Sequence, residues 1–231
     1  MTQGWTRGRN IGVWCAAVAI AAGLAVCVVL PASADDITTG NRVFFRGGFA
    51  ALNSGRGGEL FTDVHRGLGA GPTNDGSTGY YVGAGTDLML THDMWGMLKE
   101  VGVVGEIGVE FKRWNSNRVV NSEALSPVGI STPATVQMTM LTVNVAPKVK
   151  FMQGSDFQPW VIPVGLDFHV ISPPSNQTTV LDIGVQFGTG AEYRVWKQLW
   201  LGVDARYHLA SNQTNSVNSF GSVGPYVAIG F

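Results

Sequence analysis

Cysteine is nearly absent from this chain. Its only two, Cys15 and Cys27, fall within the first 34 residues. Beyond them a disulfide, a thiolate metal site and a cysteine nucleophile are all excluded. Charge is scarce too, at 13% of residues. No basic stretch is dense enough to suggest nucleic acid as a partner. After Leu30 no apolar run reaches the roughly eighteen residues that a membrane helix requires. Heptads, capping boxes and 3.6-residue stripes are rare. The glycine clusters Gly67-Leu68-Gly69-Ala70-Gly71 and Gly83-Ala84-Gly85 are not followed by Gly-Lys-Ser/Thr and do not lead into a helix, so they are not phosphate loops. His65, His92, His169 and His208 show no metal-ligand spacing, and the sequence calls for no metal and no cofactor.

The chain opens with a leader. Arg7 and Arg9 give a positive start, Ile11 to Leu30 is apolar, and Ala32-Ser33-Ala34 offers small residues where a signal peptidase cuts. Residues 1–34 are therefore expected to be a cleaved signal peptide, and residues 35–231 one domain. The apolar run is also long enough to anchor the chain in a bilayer. Cys27 offers a lipoprotein site, although Val26 is bulky for the position before it. No acidic residue precedes Asp35, so the remainder is slightly acidic.

From residue 42 the dominant period is two, the mark of strands. In the third segment Val101, Val103, Gly105, Ile107, Val109 and Phe111 make one face, and Gly102, Val104, Glu106, Gly108, Glu110 and Lys112 the other. Similar alternation runs through 42–51, 80–90, 141–151, 160–170, 181–194, 201–209 and 223–231. The polar faces mix charges with glycine, as in Gly188-Gly190-Glu192. Glycine weakens a strand that faces water, but it makes room inside a narrow closed barrel. The links alternate long and short, strictly so in the first half: 53–78 and 114–134 are long, 91–97, 152–158 and 196–198 are short, 172–177 is brief and 211–218 intermediate. The pattern predicts an all-β, eight-stranded, antiparallel, transmembrane up-and-down barrel. Leu60–Val64 and Val128–Ile130 leave a ten-stranded arrangement open. Pro147, Pro163 and Pro225 each remove a ladder donor inside a predicted strand, so bulges or shifted boundaries are expected there.

The barrel reading sorts the side chains. Arg46, Asp87, Glu100, Glu106, Glu110, Lys112, Lys148, Lys150, Asp167, Asp182, Glu192, Arg194, Asp204 and Arg206 are predicted to face inward. An eight-stranded barrel is only wide enough for its own side chains, so these charges are expected to pair and plug it. The alternative is that they line a narrow conduit for small solutes. Trp95, Trp114, Trp160, Trp196 and Trp200 lie near predicted strand ends and are assigned to aromatic girdles at the two interfaces.

Gly190-Ala191-Glu192-Tyr193-Arg194 followed by Leu201-Gly202-Val203-Asp204-Ala205-Arg206-Tyr207 resembles the penultimate hairpin of small OmpA-like and OmpW-like barrels. The ending Val227-Ala228-Ile229-Gly230-Phe231 is similar to the signal that the outer-membrane assembly machinery reads in that class, with Phe231 as its last residue. The resemblance implies a porin-like bacterial outer-membrane barrel without a peptidoglycan-binding domain. It implies outer-membrane lipid and lipopolysaccharide, together with the assembly machinery, as partners. Segments 53–78 and 114–134 are expected to carry any extracellular ligand site. His208-Leu209-Ala210-Ser211-Asn212 looks a little like the signature of outer-membrane lipid A deacylases, but His and Ser are three apart rather than two. A continuing strand would put them on opposite faces, and no enzyme is expected.

Overall fold

A computed structural model describes residues 40–53, 78–114, 117–119, 134–136, 138–172, 180–211 and 218–231. The predicted leader 1–34, the segments Leu60–Val64 and Val128–Ile130, and most of the two long links lie outside the described residues. The strands are β1 (Arg42–Leu52), β2 (Thr78–Thr91), β3 (Val101–Trp114), β4 (Asn117–Val119), β5 (Ala134–Val136), β6 (Thr139–Phe151), β7 (Phe157–Ser172), β8 (Val180–Arg194), β9 (Leu199–Ala210) and β10 (Phe220–Gly230). Eight of them close into a ring in the order β1-β10-β9-β8-β7-β6-β3-β2. Every adjacent pair is antiparallel. β4 and β5 pair only with each other, as a separate two-stranded sheet between β3 and β6. The ring therefore has eight members, not ten.

The faces have inverted polarity. In β1 the residues Arg42, Phe44 and Arg46 point inward and are buried, while Phe45 and Phe49 point outward, Phe49 being 77% exposed. In β3 Glu106, Glu110 and Lys112 are at most 1% exposed, whereas Ile107, Val109 and Phe111 face out. Leu88, Leu166, Leu181, Val203 and Val223 continue the outer apolar surface around the ring. A sheet whose closed form has no edge satisfies its backbone internally, so both of its faces are left to side-chain chemistry.

Each proline is accommodated differently. Between β7 and both its neighbours the register shifts, from Ile162 to Gly165 against β8 and around Val145/Val149 against β6. One extra residue in β7 near Pro163-Val164 accounts for both shifts, which is a bulge. The bulge changes which residues face inward. Trp160 and Ile162 are inside before it, and Gly165, Asp167 and His169 are inside after it. Pro147 lies on β6 opposite the same irregularity. Pro225 keeps the register of β10, but the β1–β10 pairing skips from Arg46↔Tyr226 to Phe49↔Val223. In that gap the two backbones come close. A Cβ on Gly224 would lie 2.2 Å from the Gly47 carbonyl oxygen, and one on Gly48 2.2 Å from that of Val223.

The short links 92–100, 152–156 and 195–198 all sit at one end of the barrel, where Asn41 and Phe231 also meet: the Phe231 N–H donates to the Asn41 carbonyl at 3.1 Å. The first short turn passes through left-handed backbone at Met94, Trp95 and Gly96. The Thr91 hydroxyl accepts the Trp95 N–H at 3.0 Å, and the Asp93 carbonyl accepts the N–H groups of Gly96 and Leu98. The backbone N–H of Gly96 and the Thr91 hydroxyl hold the Asp93 carboxyl below the usual aspartate value.

Candidate functional site

The interior is built by the alternation of the strands. Positions two apart on one strand stack along the barrel axis, and the register fixes their neighbours across it. At the short-turn end Arg42 is ion-paired with Glu192 and donates to Gln158 at 2.9 Å, with its guanidinium 3.8 Å from the centre of the Trp200 ring. Lys150 lies 2.8 Å from Asp87 and 3.2 Å from Glu192. The Tyr226 hydroxyl donates to Glu192 and accepts the Trp160 indole N–H, both at 2.9 Å.

Glu106 is the hub at mid-height. It accepts Arg206 at 2.5 and 3.1 Å, Lys148 at 2.5 Å and Arg46 at 3.3 Å. Lys148 also reaches Asp87 at 2.9 Å. Asp204 accepts Arg206 at 2.9 Å and the Tyr81 hydroxyl at 3.1 Å. Glu110 lies 2.5 Å from both Arg46 and Lys112. The charges form one connected network rather than isolated pairs, as a dry interior requires.

Towards the long links the chemistry changes. Lys112 donates to Thr142 at 2.9 Å, and Thr142 is in turn 2.9 Å from His169 Nδ1. His208 Nδ1 is 2.7 Å from Asp167, and its ring stacks on Phe220 with 4.2 Å between centres. Beyond them Ala50, Leu52, Tyr81, Trp114, Met138, Met140, Ile171 and Phe220 form a buried apolar cluster.

Of the residues predicted for the interior network, Arg46, Asp87, Glu106, Glu110, Lys112, Lys148, Lys150, Asp167, Asp182, Glu192, Asp204 and Arg206 are all buried inside the ring. Arg194 is not. Its side chain is 40% exposed and pairs with Asp156 at the short-turn end, because β8 is leaving the barrel there. Glu100 is exposed in the turn before β3. Arg42 belongs to the network although it was not predicted there; its position, four before Arg46 on the same strand, carried the signal.

The aromatic assignment needs a larger correction. Trp95 and Trp196 are exposed at the short-turn end, but Trp114, Trp160 and Trp200 are inside, none more than 5% exposed. Trp114 follows the parity of Glu110 and Lys112, and Trp200 that of Gly202 and Asp204, so alternation already marked both as inward. Trp160 carried no such mark, because the bulge at Pro163-Val164 separates it from the parity of Asp167 and His169. Trp160 and Trp200 pack against the charges, with the Trp160 ring 4.7 Å from the Lys148 ammonium and the Trp200 ring under the Arg42 guanidinium, while Trp114 meets Phe220 of the apolar cluster edge-on at 5.7 Å. His208 and Ser211 do not bond each other. His208 turns to Asp167, and Ser211 donates to Asp182 at 2.5 Å.

No family model and no curated protein matches the sequence. Solved structures do match. Neisserial surface protein A (NspA) is 14% identical, over 83% of this chain and 97% of that one, with a TM-score of 0.50. The N-terminal β-barrel domain of Pseudomonas aeruginosa OprF is 11% identical over the same shares, with a TM-score of 0.44. The attachment invasion locus protein Ail of Yersinia pestis is 9% identical over the same shares, with a TM-score of 0.46. At such identities the likeness is one of fold: this chain has the architecture of small eight-stranded outer-membrane barrels.

Proposed function

We propose that this protein spans the bacterial outer membrane as a sealed barrel, a rigid scaffold whose biological role is carried at the long-link end by segments 53–78 and 114–134. The observation that carries the reading is the inverted polarity of the ring. Six Lys and Arg side chains and seven carboxylates are buried inside it, while aromatic and branched aliphatic residues cover its outside. In water such a surface would far exceed the few hundred Å² of contiguous apolar area that soluble monomers tolerate. Against lipid tails it is the favourable arrangement. Strands of eleven to sixteen residues, rising about 3.3 Å per residue and tilted, suffice to cross an apolar band about 25 Å tall.

The ion-paired interior and the apolar cluster beyond it support a plug rather than a pore. The short-turn end, with Trp95 and Trp196 at the headgroups, faces the periplasm in this reading. Phe231 serves there as the assembly signal, and lipopolysaccharide surrounds the opposite rim. The test is extraction of the membranes with detergent, followed by gel migration with and without boiling and by recording in planar bilayers. A heat-modifiable band from the outer-membrane fraction without stable conductance is the expected outcome. A freely water-soluble chain overturns the membrane reading, and a large steady conductance overturns the plug. Deleting either long segment is then expected to leave the heat shift intact and to abolish whatever surface binding the protein has.

A further inference from the structure

The geometry points to a site for one divalent transition-metal ion inside the barrel, held by Asp167, His169 and His208. β7 and β9 flank β8 on either side, and they bring these three side chains together from positions forty-one residues apart in the chain. All three are completely buried, and one donor atom from each lies within 4.8 Å of the other two. His169 Nε2 is 3.8 Å from the Asp167 carboxylate, and His208 Nδ1 is 2.7 Å from it. Metal–ligand bonds of about 2.0–2.2 Å put neighbouring donors slightly more than 3 Å apart, so small side-chain rotations close the site.

Three independent features support an ion. The first is unmet bonding capacity: among the described residues, Asp167 Oδ1 and His169 Nε2 are buried polar atoms without a hydrogen-bond partner. Such groups are costly to leave in a dry interior unless something coordinates them. The second is charge. Asp87, Glu106, Glu110, Glu192 and Asp204 each pair with Lys or Arg, and Asp182 is bonded by Ser211 and Asn218. Among the described residues, Asp167 has only the two histidines. The Lys112 ammonium is held by Glu110 and Thr142. Seven interior carboxylates against six interior Lys and Arg also leave room for a further cation. The third is orientation. Thr142 occupies His169 Nδ1 at 2.9 Å, which leaves Nε2 as the free donor. Outer partners fix metal-binding imidazoles in this way. Gly184 on β8 keeps the space beside that nitrogen clear, since a Cβ there would lie 3.2 Å from it. Two imidazoles and a carboxylate suit zinc and its first-row neighbours rather than calcium or magnesium.

The test supplies Zn²⁺ alone during refolding into detergent micelles, strips loosely held ion with a chelator, and measures bound zinc per chain by elemental analysis. One equivalent is expected. His169→Ala and His208→Ala should each reduce retained zinc at least tenfold, and the double variant His65→Ala/His92→Ala should retain it in full. Every variant is checked for its heat shift on gels, so that loss of metal is separated from loss of the barrel. Co²⁺ in place of zinc should give the visible absorption of a nitrogen- and oxygen-ligated site, which serves if a histidine variant fails to fold. No retained zinc in the folded protein overturns the site. Zinc lost only from the His65/His92 variant overturns it equally.

Discussion

Glu106 lies where Arg206, Lys148 and Arg46 converge, and it is completely buried. Glu106→Ala takes one carboxylate from three buried cations at once, leaving Arg206 with Asp204, Lys148 with Asp87 and Arg46 with Glu110. A broken buried pair typically costs about 3–5 kcal/mol, and a loss of that size is expected in urea titrations of the refolded barrel. Arg194 and Asp156 make an equally short contact in the open, with side chains 40% and 56% exposed. Water and salt screen such pairs. Arg194→Ala should therefore shift the same titration by less than about 1 kcal/mol. Asp93 gives a pH-dependent contrast. Its carboxyl titrates below the unfolded value of about 3.9. The turn it caps is thus fully supported above that value and loses the support only as pH falls through the lower, folded one. Following the Asp93 carboxyl carbon by NMR during acid titration checks this: a midpoint at or above the unfolded value contradicts it. Most interior charges were legible in the sequence as even-numbered positions of alternating strands. Arg194 was not, because parity does not say where a strand leaves the ring.

At the scale of strands, β1 and β10 approach closely where Gly47 and Gly48 face Gly224. Gly224→Ala would push a methyl into the Gly47 carbonyl, and backbone cannot step aside as a side chain can. A destabilisation of roughly 2–3 kcal/mol is expected from such overpacking. Gly221→Ala on the same strand meets nothing closer than 3.8 Å and should be tolerated. Equal losses at both positions would refute the close-approach account. Period two sufficed to find all eight barrel strands, because each has one apolar and one polar face. It failed in β7, where the extra residue near Pro163-Val164 reverses the faces. The proline announced an irregularity there, but a lone sequence does not say on which side of it the parity changes. The pairing of Asp167 and His169 with His208 was hidden for another reason. Linear spacing shows only ligands within one element, and these come from two strands separated by a third.

For the molecule as a whole, closure was legible from the glycine-and-charge face, which has no sensible use in a solvated sheet. The same closure makes the cylinder indifferent to where its chain begins. Asn41 and Phe231 are hydrogen-bonded neighbours at the short-turn end, and the 195–198 turn sits at that end too. A circular permutant that joins residues 41 and 231 through a brief linker, and starts instead between Trp196 and Lys197, keeps every strand beside its present neighbours. Cuts at tight exposed turns are well tolerated when the old ends are adjacent. Such a rearranged chain is expected to refold in detergent to the same compact, boiling-sensitive form. If it does not, the order in which the strands are threaded matters to this protein beyond the arrangement they finally share.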